Sequence, residues 1–268
     1  MLFSAMMKIH FIELCGGSAA ITMYLNEQEP LLSYAGSKRS YAVDLVRLMK
    51  LDRDAKYSFH LNEPGLWYHI HHGLQEAQHD VASAIDCQSE SKSVYQAACY
   101  NLSKPIPSAV CERSAAAILK LAGTFGNHEV GGFKGCNPKR QKDGFSPNRK
   151  TIVSRVNEYK PIFGLTLTQQ DASQISPYLK KNARMVCYMD VPYVGKEKSY
   201  VNQFNRAQVI KTALAWKAKG SDVYISECTP IEELIKLGWK SSLVKSNTHS
   251  NYRVRRNTTT EWLTYYEQ

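Results

Sequence analysis

Short apolar runs alternate with helix-length amphipathic stretches along most of the 268 residues. Runs rich in β-branched and aromatic residues, bounded by turn formers, fall at Ile9 to Leu14, Tyr57 to Leu61, Leu165 to Thr168, Val186 to Met189, Val223 to Ser226, Ser242 to Lys245 and Glu261 to Tyr265. Their length and composition predict seven strands. Apolar residues at helical spacing predict helices at Ala19 to Leu25, Tyr41 to Met49, Leu66 to Ala77, Ser93 to Leu102, Glu112 to Ala122, Ala207 to Lys219 and Pro230 to Leu237. Thr229 reads as an N-cap with Pro230 at the first helical position, and Gly220 and Gly238 stand where helix ends need left-handed residues. Strands alternating with helices predict an α/β fold with helices on both faces of a parallel or mixed sheet.

The alternation breaks between Gly123 and Arg149, a stretch of Gly, Asn, Lys and Pro without apolar period and too long for a connector. We therefore divide the chain into one unit built from residues 1–86 and 160–268, with residues 87–159 inserted. Between Lys134 and Lys160 eight Lys or Arg face two acids, Asp143 and Glu158, within a chain of net charge +10. A clustered excess of this kind suits a polyanion; as a bare charge pattern it equally describes a solvated loop. The cations singled out for contact are Lys134, Lys139, Arg140, Lys142, Arg149 and Lys150.

Length and a 43% apolar content allow one large domain or a domain with an insertion. Seven cysteines lie scattered without CxxC spacing, which argues for a reducing, cytoplasmic setting and against zinc. Lys8, His10 and Glu13 interrupt the apolar N-terminus, against a signal peptide, and no uncharged apolar run is long enough to span a membrane. His69 and His72 are three apart, but without an acid or cysteine nearby the histidines at 69, 71 and 72 read as surface residues rather than metal ligands.

Candidate chemistry collects at predicted strand ends. The first strand runs into Glu13-Leu14-Cys15-Gly16-Gly17-Ser18, a small-residue turn that lets a ligand approach backbone, although a glycine here also serves packing. It is neither a dinucleotide fingerprint nor a P-loop. Glu63 follows the second strand, where nucleoside-binding α/β folds hold a ribose diol, and Asp171 follows the third, as an acceptor for an adenine amino group or as an N-cap. After the fourth come Asp190-Val191-Pro192-Tyr193: a carboxylate, a rigid turn and an aromatic ring, suited to a flat amine.

Taken in order, these segments resemble the Dam-like class of DNA adenine-N6 methyltransferases, over about residues 9 to 265. The hallmark DPPY reads Asp190-Val191-Pro192-Tyr193 here; the Tyr/Trp-x-Gly-Gly-Lys segment reads Tyr34-Ala35-Gly36-Ser37-Lys38; and Glu13 to Ala19 is a degraded Glu-Pro-Phe-x-Gly-x-Gly. Val191 replaces a proline, Ala19 replaces the second glycine, and the lysine segment follows the glycine turn instead of preceding the first strand.

The resemblance implies a Rossmann-like S-adenosylmethionine-dependent fold with a mixed seven-stranded sheet. It implies S-adenosyl-L-methionine held by Glu13, Cys15, Gly16, Gly17, Ser18, Tyr34, Gly36, Ser37, Lys38, Glu63 and Asp171. Asp190 and the Val191 carbonyl would accept the two N6 hydrogens of a flipped adenine, Pro192 would fix the turn, and Tyr193 would stack on the base. The expected partner is double-stranded DNA, gripped by the basic insertion, in a cytoplasmic, bacterial or phage-infected setting, as monomer or homodimer. Cytosine N4, RNA adenine, or DNA binding on a decayed methyltransferase scaffold remain open alternatives.

Overall fold

The computed structural model describes residues 8–32, 38–104, 109–124, 129, 132–133, 145–193, 204–249 and 257–268. All seven predicted strands are present: β1 (Lys8–Glu13), β2 (Lys56–Asn62), β3 (Leu165–Thr168), β4 (Ala183–Asp190), β5 (Asp222–Glu227), β6 (Lys240–His249) and β7 (Asn257–Tyr266). They form one sheet in the order β3-β2-β1-β4-β5-β7-β6. The first five are parallel; β7 runs antiparallel to β5 and β6 antiparallel to β7, with a register shift between Leu243 and Lys245.

Alternation along the strands sends side chains to two cores. Ile9, Phe11, Val186, Tyr188 and Tyr224 join one cluster, whereas Ile12, Met185, Cys187, Met189, Val223 and Ile225 join the other. The first is covered by α2 (Ala42–Leu48), α3 (Leu66–Glu76), α4 (Gln78–Asp86), α5 (Lys92–Ser103), α6 (Val110–Gly123) and α7 (Arg149–Glu158). The second is covered by α8 (Arg206–Ala218) and α9 (Glu232–Ile235). Burial on both faces explains the near-continuous apolar character of β4 and β5.

Two helices escaped the sequence reading. Only Ala77 separates α4 from α3, so the pair reads as one amphipathic run with an indistinct end. Helix α7 buries Ile152 and Val156, an i, i+4 pair set among cations, and Asn148 caps it by accepting the Thr151 amide at 2.9 Å. What read as the end of a basic loop is therefore helical from Arg149 onward. The expected cap at Thr229 is also corrected: α9 is a four-residue turn that begins after Ile231, with no side-chain cap. The Ile231 amide donates to Thr264 Oγ1 at 3.1 Å, which holds that residue extended and delays the helix. Gly220 (φ 95°) and Gly238 (φ 85°) do end their helices left-handed.

Among the described residues no helix is long and apolar enough to cross a membrane, and no cluster of three or more His, Cys, Asp or Glu could hold a metal ion. Cys15, Cys87, Cys99, Cys111, Cys187 and Cys228 are free thiols.

Candidate functional site

From β1 the chain moves outward to β2 and β3, then returns to β4 on the other side of β1 and continues to β5. Strand order therefore reverses between β1 and β4, and in open α/β sheets the carboxyl ends of the strands at such a reversal are the usual ligand position. Glu13 and Asp190 terminate those two strands.

On the β1 side, the glycine turn leads into α1 (Ala20–Leu25). Gly16 N–H donates to the Asn62 carbonyl at 3.0 Å, and Gly17 N–H donates to Glu63 Oε2 at 2.6 Å. Gly17 (φ 48°) and Ala19 (φ 52°, ψ 41°) are both left-handed. Ala19, in place of a second glycine, thus adopts a backbone that costs an alanine roughly 1 kcal/mol. Glu13 is buried, and its Oε2 lies 2.6 Å from Thr22 Oγ1, tying the strand end to α1. Burial pushes the Glu13 carboxyl up to about 8, with the Thr22 hydrogen bonds opposing and the Asp190 charge reinforcing the shift. Cys15 is an ill-suited nucleophile, because burial holds its thiol well above the usual range.

Fully buried Asn62 joins three strand ends: its amide nitrogen donates to the carbonyls of Leu14 and Gln170, both at 3.0 Å, and its oxygen accepts from Thr168 Oγ1 at 2.8 Å. Glu63 next to it accepts from Gly17 and, at 2.8 Å, from the Gly65 amide. Burial, then the neighbouring Glu129 carboxyl, push Glu63 up to about 7. Glu129 itself accepts the Leu66 amide at 2.7 Å at the start of α3. Asp171 uses Oδ1 to cap the short turn Ala172–Gln174, accepting from Ser173 N at 2.8 Å and Ser173 Oγ at 2.6 Å, while its Oδ2 takes no hydrogen bond among the described residues.

His71 corrects the expectation of a surface histidine. It is 4% exposed, stacks on Trp67 with ring centroids 6.0 Å apart, and its Nε2 lies 2.9 Å from the Gly17 carbonyl. The i, i+4 relation to Trp67 on an apolar helix face was the signal available in the sequence.

On the β4 side, Asp190 ends the strand and Val191, Pro192 and Tyr193 follow it. Val191 is buried in the second core, which anchors the turn. Lys38, only 3% exposed, reaches in from the short turn Lys38–Ser40 and lies 2.7 Å from Asp190 Oδ1. Its ammonium also donates to Tyr193 OH at 2.6 Å. Burial would lower the Lys38 ammonium, but Asp190 and then Glu261 outweigh that and hold it well above the lysine range. Burial raises the Asp190 carboxyl, with Lys38 opposing.

Sequence reasoning missed Glu261 on β7 and Ser226 on β5. Glu261 Oε2 accepts from Tyr193 OH at 2.5 Å, and Ser226 Oγ donates to Asp190 Oδ1 at 3.4 Å. The phase of Glu261 with Leu263 and Tyr265, at the start of the predicted strand, was its one visible hint.

Tyr34, Gly36, Ser37, Lys134, Lys139, Arg140 and Lys142 lie outside the described residues. Ser18 is buried in the turn. Arg149 pairs with Asp86 at 2.7 Å, so of the two described cations among the six singled out for contact only Lys150 stands exposed without such a pair. Compared with known proteins, the chain matches no family model and no curated protein.

Proposed function

We propose that the chain is an S-adenosylmethionine-dependent methyltransferase acting on a flat exocyclic amine, with adenine N6 in DNA as the target. One observation carries the reading: Asp190 and Tyr193 leave β4 beside the glycine turn of β1, at the reversal of strand order, with Glu63 facing that turn.

The residues present fit the cofactor chemically. Glu63 offers lone pairs beyond its two backbone contacts for a ribose diol, and Asp171 Oδ2 is open for an adenine amino group. Bound there, S-adenosylmethionine would supply an electrophilic methyl on a sulfonium. All other steps belong to the chain. The N6 lone pair is delocalised into the ring, so the amine must be held as it becomes tetrahedral and aimed in line. Asp190 Oδ2, free of hydrogen bonds from the described residues, accepts one N6 hydrogen, and the Val191 carbonyl accepts the other. Tyr193 stacks on the base. The N6 proton displaced on methylation would leave through the Asp190 carboxylate. Residues 1–86 and 160–268 would be the catalytic unit, with 87–159 for target recognition; the net charge of +10 supports a nucleic-acid substrate.

The test is transfer of labelled methyl to unmethylated duplex DNA, with digestion to nucleosides, in wild type and Asp190→Ala. N6-methyladenine that vanishes in the variant is the expected result. N4-methylcytosine would move the target to another amine, and DNA binding without transfer would favour the decayed scaffold.

A further inference from the structure

Glu261 sits on β7, opposite Lys245 of β6, and is 2% exposed. Its two oxygens do different work: Oε2 takes the Tyr193 hydroxyl at 2.5 Å, while Oε1 lies 3.4 Å from Lys38 Nζ. Lys38 in turn donates to the Tyr193 hydroxyl and to Asp190 Oδ1. Glu261, Tyr193 and Lys38 therefore close a ring of mutual contacts, and Asp190 hangs from that ring through the ammonium.

The donors that reach Asp190 from the described residues, Lys38 at 2.7 Å and Ser226 at 3.4 Å, both land on Oδ1. Oδ2 is left open. That one-sidedness needs a cause, because a lysine tail has four rotatable bonds and three donor hydrogens, and an ammonium free to choose would bridge both carboxylate oxygens. A second buried carboxylate, Glu261, lies 3.4 Å from the same ammonium and competes with Asp190 Oδ2 for it. The same carboxylate takes the Tyr193 proton, so the phenol cannot turn its donor toward Asp190.

We propose that Glu261 is a positioning residue which, through Lys38 and Tyr193, fixes the two groups that hold the target amine and leaves Asp190 Oδ2 as the oxygen offered to it. The inference deepens the methyltransferase reading and rests on it. A purely architectural purpose explains the group poorly: burying two carboxylates around one ammonium is costly, and apolar side chains of similar volume would stabilise this position at least as well.

The experiment compares wild type, Glu261→Gln, Tyr193→Phe and the double variant. It reads single-turnover methyl transfer at saturating S-adenosylmethionine, cofactor affinity by calorimetry, and thermal midpoint. Glutamine is nearly isosteric and can still accept the phenol proton, but it lacks the charge that draws Lys38; phenylalanine keeps the stacking ring and lacks the hydroxyl. The expected result is a single-turnover rate about tenfold or more slower in Glu261→Gln, with cofactor affinity within about twofold. The double variant should be little slower than the slower single, since both act through one ring of contacts.

A Glu261→Gln rate within about twofold of wild type, or multiplicative losses in the double variant, would overturn the proposal. So would a rate loss that merely tracks lost cofactor binding or a lowered midpoint. If Glu261→Gln fails to fold, Tyr193→Phe decides alone: an unchanged rate there sinks the proposal. Failure of the underlying reading is distinguishable, because it appears in the wild type as cofactor or DNA binding without methyl transfer.

Discussion

The Nε2 of His71 lies 2.9 Å from the carbonyl oxygen of Gly17, so a side chain of α3 holds the turn that follows β1. Glu63 holds the same residue from its other side, accepting the Gly17 amide at 2.6 Å. One left-handed residue is thereby clamped at both its amide and its carbonyl, and the turn is held in place. Burial lowers the His71 imidazole to about 4, so the ring is neutral and donates from Nε2.

Truncating His71→Ala removes a packed ring and leaves the Gly17 carbonyl without its donor. We expect a loss of roughly 2–4 kcal/mol in unfolding free energy, measured by urea denaturation. An unchanged midpoint would contradict the clamp.

The same group sets a pH dependence. The folded value of about 4 lies below the ordinary 6.5, so between those values the unfolded chain binds the proton first. Stability from His71 is present above pH 6.5 and lost as pH falls toward 4, by roughly 3 kcal/mol in all. His10, also lowered to about 4, acts in the same direction. Denaturation at pH 6.5 and 4.5 should show a smaller difference in His71→Gln than in wild type; equal slopes would refute the assignment.

Glu63 titrates in the folded chain at about 7, above the ordinary 4.5, so its charge appears only as pH rises through neutrality. An ionised carboxylate is the stronger acceptor for a ribose diol. Calorimetry should find S-adenosylmethionine binding strengthening from pH 6 to 8 in wild type and nearly flat in Glu63→Gln. A flat wild-type profile would remove Glu63 from the proposed cofactor site.

Gly16 leaves no room for a side chain. A Cβ there would sit 2.0 Å from Leu61 Cδ1, and Leu61 is itself buried. Gly16→Ala should cost roughly 1–3 kcal/mol through overpacking. A thermal midpoint equal to wild type would show that β2 can yield.

Arg184 gives the contrasting case, at the opposite end of the sheet. Its Nε donates to Asp222 Oδ2 at 2.7 Å, and its Nη2 donates to the Met49 carbonyl at 3.3 Å. Arg184→Ala should lose roughly 2–3 kcal/mol of stability while the proposed methyl-transfer activity is the same as in wild type. A selective loss of rate in a stable variant would place this end of the sheet in the site.

The amino-acid sequence by itself determined the seven strands and most helices, because double-sided burial of a parallel sheet writes itself as short apolar runs, and left-handed helix ends select Gly220 and Gly238. It also placed Glu13, Glu63, Asp171 and Asp190 at strand ends, since local pattern fixes where a strand stops. Helix α7 was hidden because three apolar residues among cations, Ile152, Val153 and Val156, carry almost no periodic signal. Only the tertiary structure decided which of those strand ends meet, for strand order is set by long-range packing and not by local spacing. For the same reason it alone brought Lys38, 152 positions before Asp190, and Glu261, 71 after it, onto one carboxylate and one phenol. A lysine and a glutamate far apart in sequence read as solvated charges; what brings them together is the pairing of β7 with β5, which sets Glu261 beside the carboxyl end of β5, next to the end of β4 that carries Asp190.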